Sequence, residues 1–373
     1  MDEHAPTPMT EELFHSLLAL AVKRQASDIH LEVGYPPTLR VFGELLATRH
    51  PPLTHEDTEA IARLVLSSGG PGPIPEQVRE IDRSYSLPGV SRFRASVFRQ
   101  RGSWGTVMRA IPFAIPELDA LDLPPVVRTV AGARRGLVLV TGATGNGKTT
   151  TVAALVNEIV RQDRLHVVTV EDPIEFLFPA GAGLVIQREV GADTASEADA
   201  LRAALRQDPD VIVVSELRDR AAADICLKAA ETGHLVIASL HTPDVVRSIN
   251  RIVGLFPGDE QETIRGRLAD NLQAVLSLRL LPRCDVPGVV PAVEALLATS
   301  GVREAIRDGG SRVHELRSYM EHAATAGLGM HTFDQELERL VRARRIAREA
   351  ALAHATDRRD LERRLGAGGE RSA

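Results

Sequence analysis

The sequence predicts an α/β fold in which a parallel-sheet domain with a phosphate-binding loop follows a small α+β domain and precedes a C-terminal helical subdomain. Three observations carry this. From Gly136 onward, the apolar runs Leu137–Val140, Val167–Val170, Val211–Val214 and Leu235–Ser239 alternate with helical patterns near Thr150–Gln162, Glu197–Gln207 and Arg220–Thr232. Such alternation predicts a parallel sheet covered on both faces. Between the first run and its helix stands Gly142-Ala143-Thr144-Gly145-Asn146-Gly147-Lys148-Thr149, a glycine-rich turn opening a helix at Thr150. After about Ser300 the strand-like runs stop, and helical patterns rich in Arg and Glu take over.

Taken in order, residues 11–24 have helical periodicity with Thr10 as N-cap. Asp28–Val33 and Thr38–Phe42 read as strands around the turn Gly34-Tyr35-Pro36-Pro37, and a helix is predicted over Thr54–Ser67. Beyond the Gly/Pro-rich loop Ser68–Pro75, three more strands are expected at Asp82–Leu87, Phe93–Arg99 and Thr106–Ile111. Residues 1–111 thus form the N-terminal domain. Pro112, Pro116, Pro124 and Pro125 punctuate 112–130, the expected linker and a plausible hinge. Residues 131–300 carry the phosphate-binding domain. Residues 301–373 hold helices at Val302–Arg307, Thr332–Arg344, Arg348–His354 and Arg359–Leu365, their charge read as a solvated face.

Composition narrows the function classes. At 373 residues the chain holds two or three domains. A formal net charge of −6 gives no polyanion-binding signature and weighs against a nucleic-acid motor. The only cysteines, Cys226 and Cys284, form no CxxC pair, so neither a zinc site nor a disulfide framework is indicated, and a reduced cytosolic compartment is expected. The start Met1-Asp2-Glu3-His4 has no secretory pattern, and no apolar run reaches the length of a membrane span, so any membrane connection is expected to run through a partner.

The loop's chemistry follows from its residue types. Gly142, Gly145 and Gly147 let backbone N–H groups approach phosphate closely at the positive end of a helix dipole. Lys148 reaches the β/γ-phosphates and the Thr149 hydroxyl ligates Mg²⁺, with ATP as the expected nucleotide. In an open parallel sheet, ligands bind outside the carboxyl ends of the strands. Those ends deliver Glu171-Asp172, Ser215-Glu216 and His241-Thr242. Glu216 is the expected residue to orient or activate the attacking water, against a metal-binding or structural carboxylate. Glu171 and Asp172 bind Mg²⁺ directly or through water, or polarise the attacking water with Glu216, against an acidic turn before Pro173. Ser215 occupies the position of the usual Walker-B aspartate. His241 falls at the nucleotide end, where it can sense the γ-phosphate. His234, at the opposite end of the same run, has a nucleotide role or a structural or subunit-contact one. Lys148 is the only obvious cation, and Arg92, Arg94 and Arg109 on neighbouring strands offer a source of arginine fingers, against strand-face arginines in water.

These residues resemble the secretion ATPases that power type II/IV secretion and type IV pili, most closely the pilus retraction ATPases. The match includes Ala26-Ser27-Asp28-Ile29-His30, Arg92-Phe93-Arg94, Met108-Arg109 and the phosphate loop. It continues through Glu171-Asp172-Pro173-Ile174-Glu175, Asp208 through Asp219, and Ala230-Glu231-Thr232-Gly233-His234 through Leu240-His241-Thr242. The resemblance implies a homohexamer of PAS-like N-terminal and RecA-like P-loop domains. It implies that nucleotide contacts loop residues 142–149, Thr150, Arg92, His234 and His241, with Glu216, Glu171, Lys148, Arg94 and Arg109 in catalysis. It further implies Mg²⁺, a membrane-embedded platform protein, a cytoplasmic location at the inner membrane, and pilus retraction driven by ATP hydrolysis. The family's retraction signature Ala-Ile-Arg-Glu appears as Ala305-Ile306-Arg307-Asp308, and Ser215 replaces a common glycine. These departures leave room for an accessory paralogue with little turnover of its own that cooperates with a principal motor. An assembly or secretion ATPase is the other alternative.

Overall fold

The computed structural model describes residues 9–366 except 42, 68–78, 112–114, 180, 182, 311, 326 and 328. The chain start, Phe42, the loop Ser68–Pro75 and Pro112 lie outside or partly outside that set. The chain divides into two compact units. One holds the described residues of 1–114 with Pro173–Leu177, the other those of 115–172 and 178–373.

In the first unit, α1 (Glu11–Lys23) is capped by Thr10, whose hydroxyl accepts from Leu13 N at 3.2 Å. Its Phe14, Leu17, Leu18 and Ala21 are buried on one stripe. The strands are β1 (Ala26–Leu31), β2 (Thr38–Val41) and β3 (Glu44–Ala47), followed by α2 (His55–Ser67). After it come β4 (Glu80–Leu87), β5 (Ser91–Gln100) and β6 (Ser103–Ile111). All pairings are antiparallel, in the order β3-β2-β1-β6-β5-β4. Along β5 the inward residues Phe93, Ala95 and Val97 alternate with outward Arg92, Arg94 and Ser96. β3, absent from the sequence reading, is an edge strand whose four residues are all exposed, so it carries no burial alternation.

The second unit starts inside the expected linker. A 3₁₀ turn (Leu118–Leu121) and α3 (Val126–Ala131) pack Leu118, Val126, Val127, Val130 and Ala131 into the sheet's core. Much of the expected 112–130 linker is therefore helical and packed on the second unit. Pro124 and Pro125 open a helix there rather than interrupting structure, because proline's missing N–H is not needed in a first turn. Then come β7 (Gly136–Thr141), α4 (Lys148–Gln162), β8 (His166–Glu171), β9 (Leu184–Glu189), α5 (Glu197–Ala204), β10 (Val211–Val214), α6 (Arg220–Glu231) and β11 (Leu235–Leu240). Next are α7 (Val245–Gly254), α8 (Gln261–Asn271), β12 (Leu272–Pro282), β13 (Val289–Leu297), α9 (Ser300–Asp308) and α10 (Arg312–Thr325). The last helices are α11 (Phe333–Arg342), α12 (Arg348–His354) and α13 (Arg358–Gly366).

The sheet runs β13-β12-β7-β11-β10-β8-β9, parallel through its core as expected, with β13 added antiparallel at one edge. Both faces are covered. Leu137 and Leu139 enter one core cluster and Val138 and Val140 the other, while Val236, Ala238 and Leu240 oppose Leu235 and Ile237 in the same way. The helices after residue 300 belong to the same unit. Val302, Ala305 and Ile306 of α9 join the larger cluster, whereas Phe333, Leu337 and Leu340 of α11 pack with Leu281, Val290 and Ala292.

Two buried features brace the phosphate end. Gly142 has φ +145° and faces the carbonyl of Leu278 on β12, which a Cβ would meet at 2.6 Å. Glu294 on β13 is buried. It accepts from Val245 N, at the start of α7, at 2.9 Å and takes a backbone hydrogen bond from Phe333, at the start of α11. Burial pushes its carboxyl up to about 7, with Asp244 adding to the shift and the two backbone donors and Arg279 opposing it.

Gly142→Ala is expected to cost about 1–3 kcal/mol or more, because neither φ nor the rigid carbonyl can yield. Thermal melts and nucleotide titration should show a lower melting temperature and lost binding; a wild-type melt with wild-type affinity would contradict the close approach. Glu294 gives a pH-dependent expectation. The native state holds its proton up to about 7, against 4.5 ordinarily, so it binds more protons across that window and stability falls as pH rises through it. Glu294→Gln should remove a pH-dependent loss on the order of 1–3 kcal/mol between pH 5 and 8 in denaturant titrations. Parallel stability profiles for the two proteins would refute this.

Candidate active site

The site forms where the parallel strands end. β7 runs into the glycine-rich loop, and Gly147, in the left-handed conformation at φ 80°, is the N-cap of α4 with no side-chain cap. A helix start leaves its first N–H groups without intrahelical acceptors, so those of Lys148, Thr149 and Thr150 are offered at the dipole's positive end. Ala143, Thr144 and Gly145 are exposed on the loop's crest. Asn146 is instead a brace, its Oδ1 accepting from Leu280 N at 3.3 Å. Beside Gly147, Thr150 and Thr151 lies a pocket of about 270 Å³ whose apolar walls include Leu121, Leu123, Leu280 and Pro291.

The neighbouring strand ends complete a polar chain. Lys148 Nζ donates to the carbonyls of Gly142 at 2.8 Å and Ala143 at 3.2 Å, and lies 3.2 Å from His241 Nδ1. His241 Nε2 lies 3.2 Å from Glu216 Oε2. With an ammonium on one side, Nδ1 accepts and Nε2 carries the proton toward the carboxylate. Glu216 Oε2 also accepts from Arg218 Nε at 2.9 Å, and Arg218 Nη1 donates to Asp172 Oδ2 at 3.0 Å. Glu171, buried at the end of β8, accepts on Oε1 from Thr169 Oγ1 at 2.6 Å and Gln187 Nε2 at 2.9 Å.

The structure thus joins the loop, Lys148, His241, Glu216 and Asp172 in one chain of contacts, while Glu171 ends β8 beside them with its carboxylate bonded to Thr169 and Gln187. It does not bring His234 to them. Parallel pairing sets His234 at the amino end of β11, one strand length from His241, where Nδ1 lies 3.0 Å from both Ala229 O and Thr232 Oγ1. A contact from His234 to nucleotide on the same chain's loop is therefore corrected. The arginines Arg92, Arg94 and Arg109 lie on one face of the first unit's sheet, with Arg94 directly opposite Arg109. Arg109 Nε donates to Asp28 Oδ1 at 2.9 Å and Arg94 pairs with Asp82 at 3.4 Å.

Two residues escaped the sequence reading. Arg218 supplies a second cation at the phosphate end; its place two residues after Glu216 was the available signal. Glu197, at the start of α5, is pushed up to about 7, chiefly by burial, with Asp219, Glu216 and Asp172 adding to the shift and Arg218 opposing it. Nothing in its local sequence distinguishes it from an ordinary first-turn glutamate behind the Ser196 cap.

Residues 114–363 match the model of the type II/IV secretion system protein family. The chain is 40% identical over 335 residues to the type IV pilus retraction ATPase PilT of Pseudomonas aeruginosa, spanning 90% of this chain and 96% of the relative. It is 37% identical over 360 residues to the type IV pilus ATPase PilU of the same organism, spanning 96% and 93%. A crystal structure of the pilus retraction motor PilT with bound ADP superposes with a TM-score of 0.84 at 38% identity, covering 94% of this chain and 98% of that one. A RecA-like P-loop core, a PAS-like N-terminal domain and a helical C-terminal region accompany that match, and the chain belongs to the type II/IV secretion system family as one of its ATPases.

Proposed function

We propose that this ATPase is a hexameric motor of the type IV pilus that couples ATP hydrolysis to pilus retraction. The observation that carries the chemistry is the contact of Glu216 with His241, itself beside Lys148. One carboxylate able to take a proton from water stands at the edge of a phosphate cradle. Glu216 orients and deprotonates the water, and the loop N–H groups with Lys148 hold the phosphates. Thr149 opens the helix, while Glu171 and Asp172 close β8 at the same edge. This all-oxygen donor set suits Mg²⁺, which supplies charge neutralisation on the phosphates when bound. The apolar pocket beside Thr150 fits a nucleobase.

In this reading Arg92, Arg94 and Arg109 reach the nucleotide of another subunit, and His234 serves a subunit contact. The motor works in the cytoplasm, peripheral to the inner membrane, on a platform protein. No described helix is long and apolar enough to cross a membrane. Retraction, rather than assembly, is supported by the near full-length match to PilT and by the presence of two cysteines only, too few for the four-cysteine insertion of assembly ATPases. An accessory role beside a principal motor is the second reading. What favours it is Asp308, whose shorter carboxylate pairs locally with Arg312 on the next helix.

Glu216→Gln should leave ATP affinity within a few-fold of wild type and lower turnover about 10²-fold or more, read by nucleotide titration and phosphate release. Undiminished turnover would remove Glu216 from the water-activating role. Lys148→Ala should instead weaken nucleotide binding itself. A deletion strain should keep abundant surface pili and lose twitching; bald cells would sink the retraction reading.

A further inference from the structure

We propose that Arg218 is a positioning residue for hydrolysis: it fixes one oxygen of Glu216 against Asp172 and, with His241, leaves the other oxygen to the attacking water. The inference rests on the reading of Glu216 as the water-activating group. Arg218 sits in the short connection between β10 and α6, and that connection is anchored on both sides. Leu217 is buried and its N–H donates to Ser239 O at 2.9 Å. Asp219 caps α6 by accepting from Ala222 N at 2.9 Å, and Arg251 Nη2 donates to Arg218 O at 3.3 Å. The backbone that carries the guanidinium is therefore held before any ligand arrives.

The guanidinium bridges two acids rather than gripping one. Nε donates to Glu216 Oε2 at 2.9 Å and Nη1 to Asp172 Oδ2 at 3.0 Å, so one rigid plane sets the spacing between the ends of β10 and β8. The same Oε2 also faces His241 Nε2 at 3.2 Å. Two donors converge on Oε2, while Oε1 takes no protein hydrogen bond among the described residues. A carboxylate held this way has one oxygen committed and the other aimed. Arg218 also offsets repulsion between Glu216 and Asp172, with the partly buried Glu197 and the capping Asp219 near enough to add to it. A lysine would put a single point charge on one acid or the other and would not hold both.

The test measures phosphate release, affinity for a fluorescent ADP analogue and melting temperature on the full-length protein. The variants are Arg218→Ala, Arg218→Gln, Arg218→Lys, His241→Ala, Arg218→Ala/His241→Ala and Glu216→Gln. The expected result is an about 10- to 100-fold loss of kcat in Arg218→Ala and Arg218→Gln, with analogue affinity within about twofold of wild type and partial recovery in Arg218→Lys. Because Arg218 and His241 act on one oxygen, the double variant should be little worse than the poorer single variant. Multiplicative losses in the double variant, or kcat within about twofold of wild type in Arg218→Gln, would overturn the proposal. Undiminished turnover in Glu216→Gln would overturn the underlying reading as well. A dead Glu216→Gln beside an active Arg218→Gln would remove Arg218 alone. The glutamine variant keeps the side chain's stem, so loss of fold in the alanine variant does not decide the matter.

Discussion

The in-register parallel ladder of β7, β11, β10 and β8 is the constraint on which the site depends. Thr141 pairs with Leu240, Ala238 with Val214, and Val214 with Val170. At about 3.3 Å per residue, those pairings put the first polar residues after each strand within a rung or two of one another. Gly142, His241, Glu216 and Glu171 stand along one edge of the sheet because the strands beneath them cannot slip. The core enforces this. A one-residue shift would exchange Leu137 and Leu139 with Val138 and Val140 between two packed faces. Burial of aliphatic side chains thereby sets the geometry of charged ones.

A second layer of order lies under the loop. Thr141 Oγ1 is 2.7 Å from Ser277 Oγ, and Ser248 Oγ lies 3.2 Å from Thr141 Oγ1, 2.7 Å from Thr242 Oγ1 and 2.6 Å from Asp244 O. Ser277 pairs in register with Glu294, whose carboxyl receives the starts of α7 and α11. Polar side chains thus lie under the last residue before the phosphate loop, and, one strand over, Glu294 ties the starts of α7 and α11 to the sheet. Buried polar groups tolerate few alternative arrangements, since each lost partner is costly.

The legible parts of this chain were those whose signal is local. Short, mainly apolar runs of four or five residues located β7, β8, β10 and β11, because a strand buried on both faces is largely apolar. Thr10 was readable as a cap because capping is a matter of adjacent residues. β9, β12 and β13 were missed. β9 is a partly exposed edge with Gln187, Arg188 and Glu189 in it, and β12 and β13 form a hairpin that follows the alternating pattern rather than belonging to it. The linker was overextended since prolines open helices as well as break them. Arg218 stands two residues from Glu216 in sequence, but its second partner, Asp172, becomes a neighbour only through the pairing of β8 with β10.

The N-terminal arginines illustrate how a fold holds charge in readiness. Asp28, only 7% exposed, takes Arg109 through one bond, with Arg40 at 3.9 Å, while Arg109 itself remains largely in water. Arg94 stands directly across the ladder from Arg109, an arrangement of like charges that costs energy unless anions sit nearby. Asp82 and Asp28 supply them; the exposed Arg94–Asp82 pair holds by no more than about 1 kcal/mol, whereas Arg109 leans on a buried Asp28. Lys148 is engaged with two loop carbonyls and His241, and Arg218 is committed to two acids. The cations of the P-loop unit organise its own carboxylates and loop, and Arg94 and Arg109 of the first unit each pair with an aspartate of that unit.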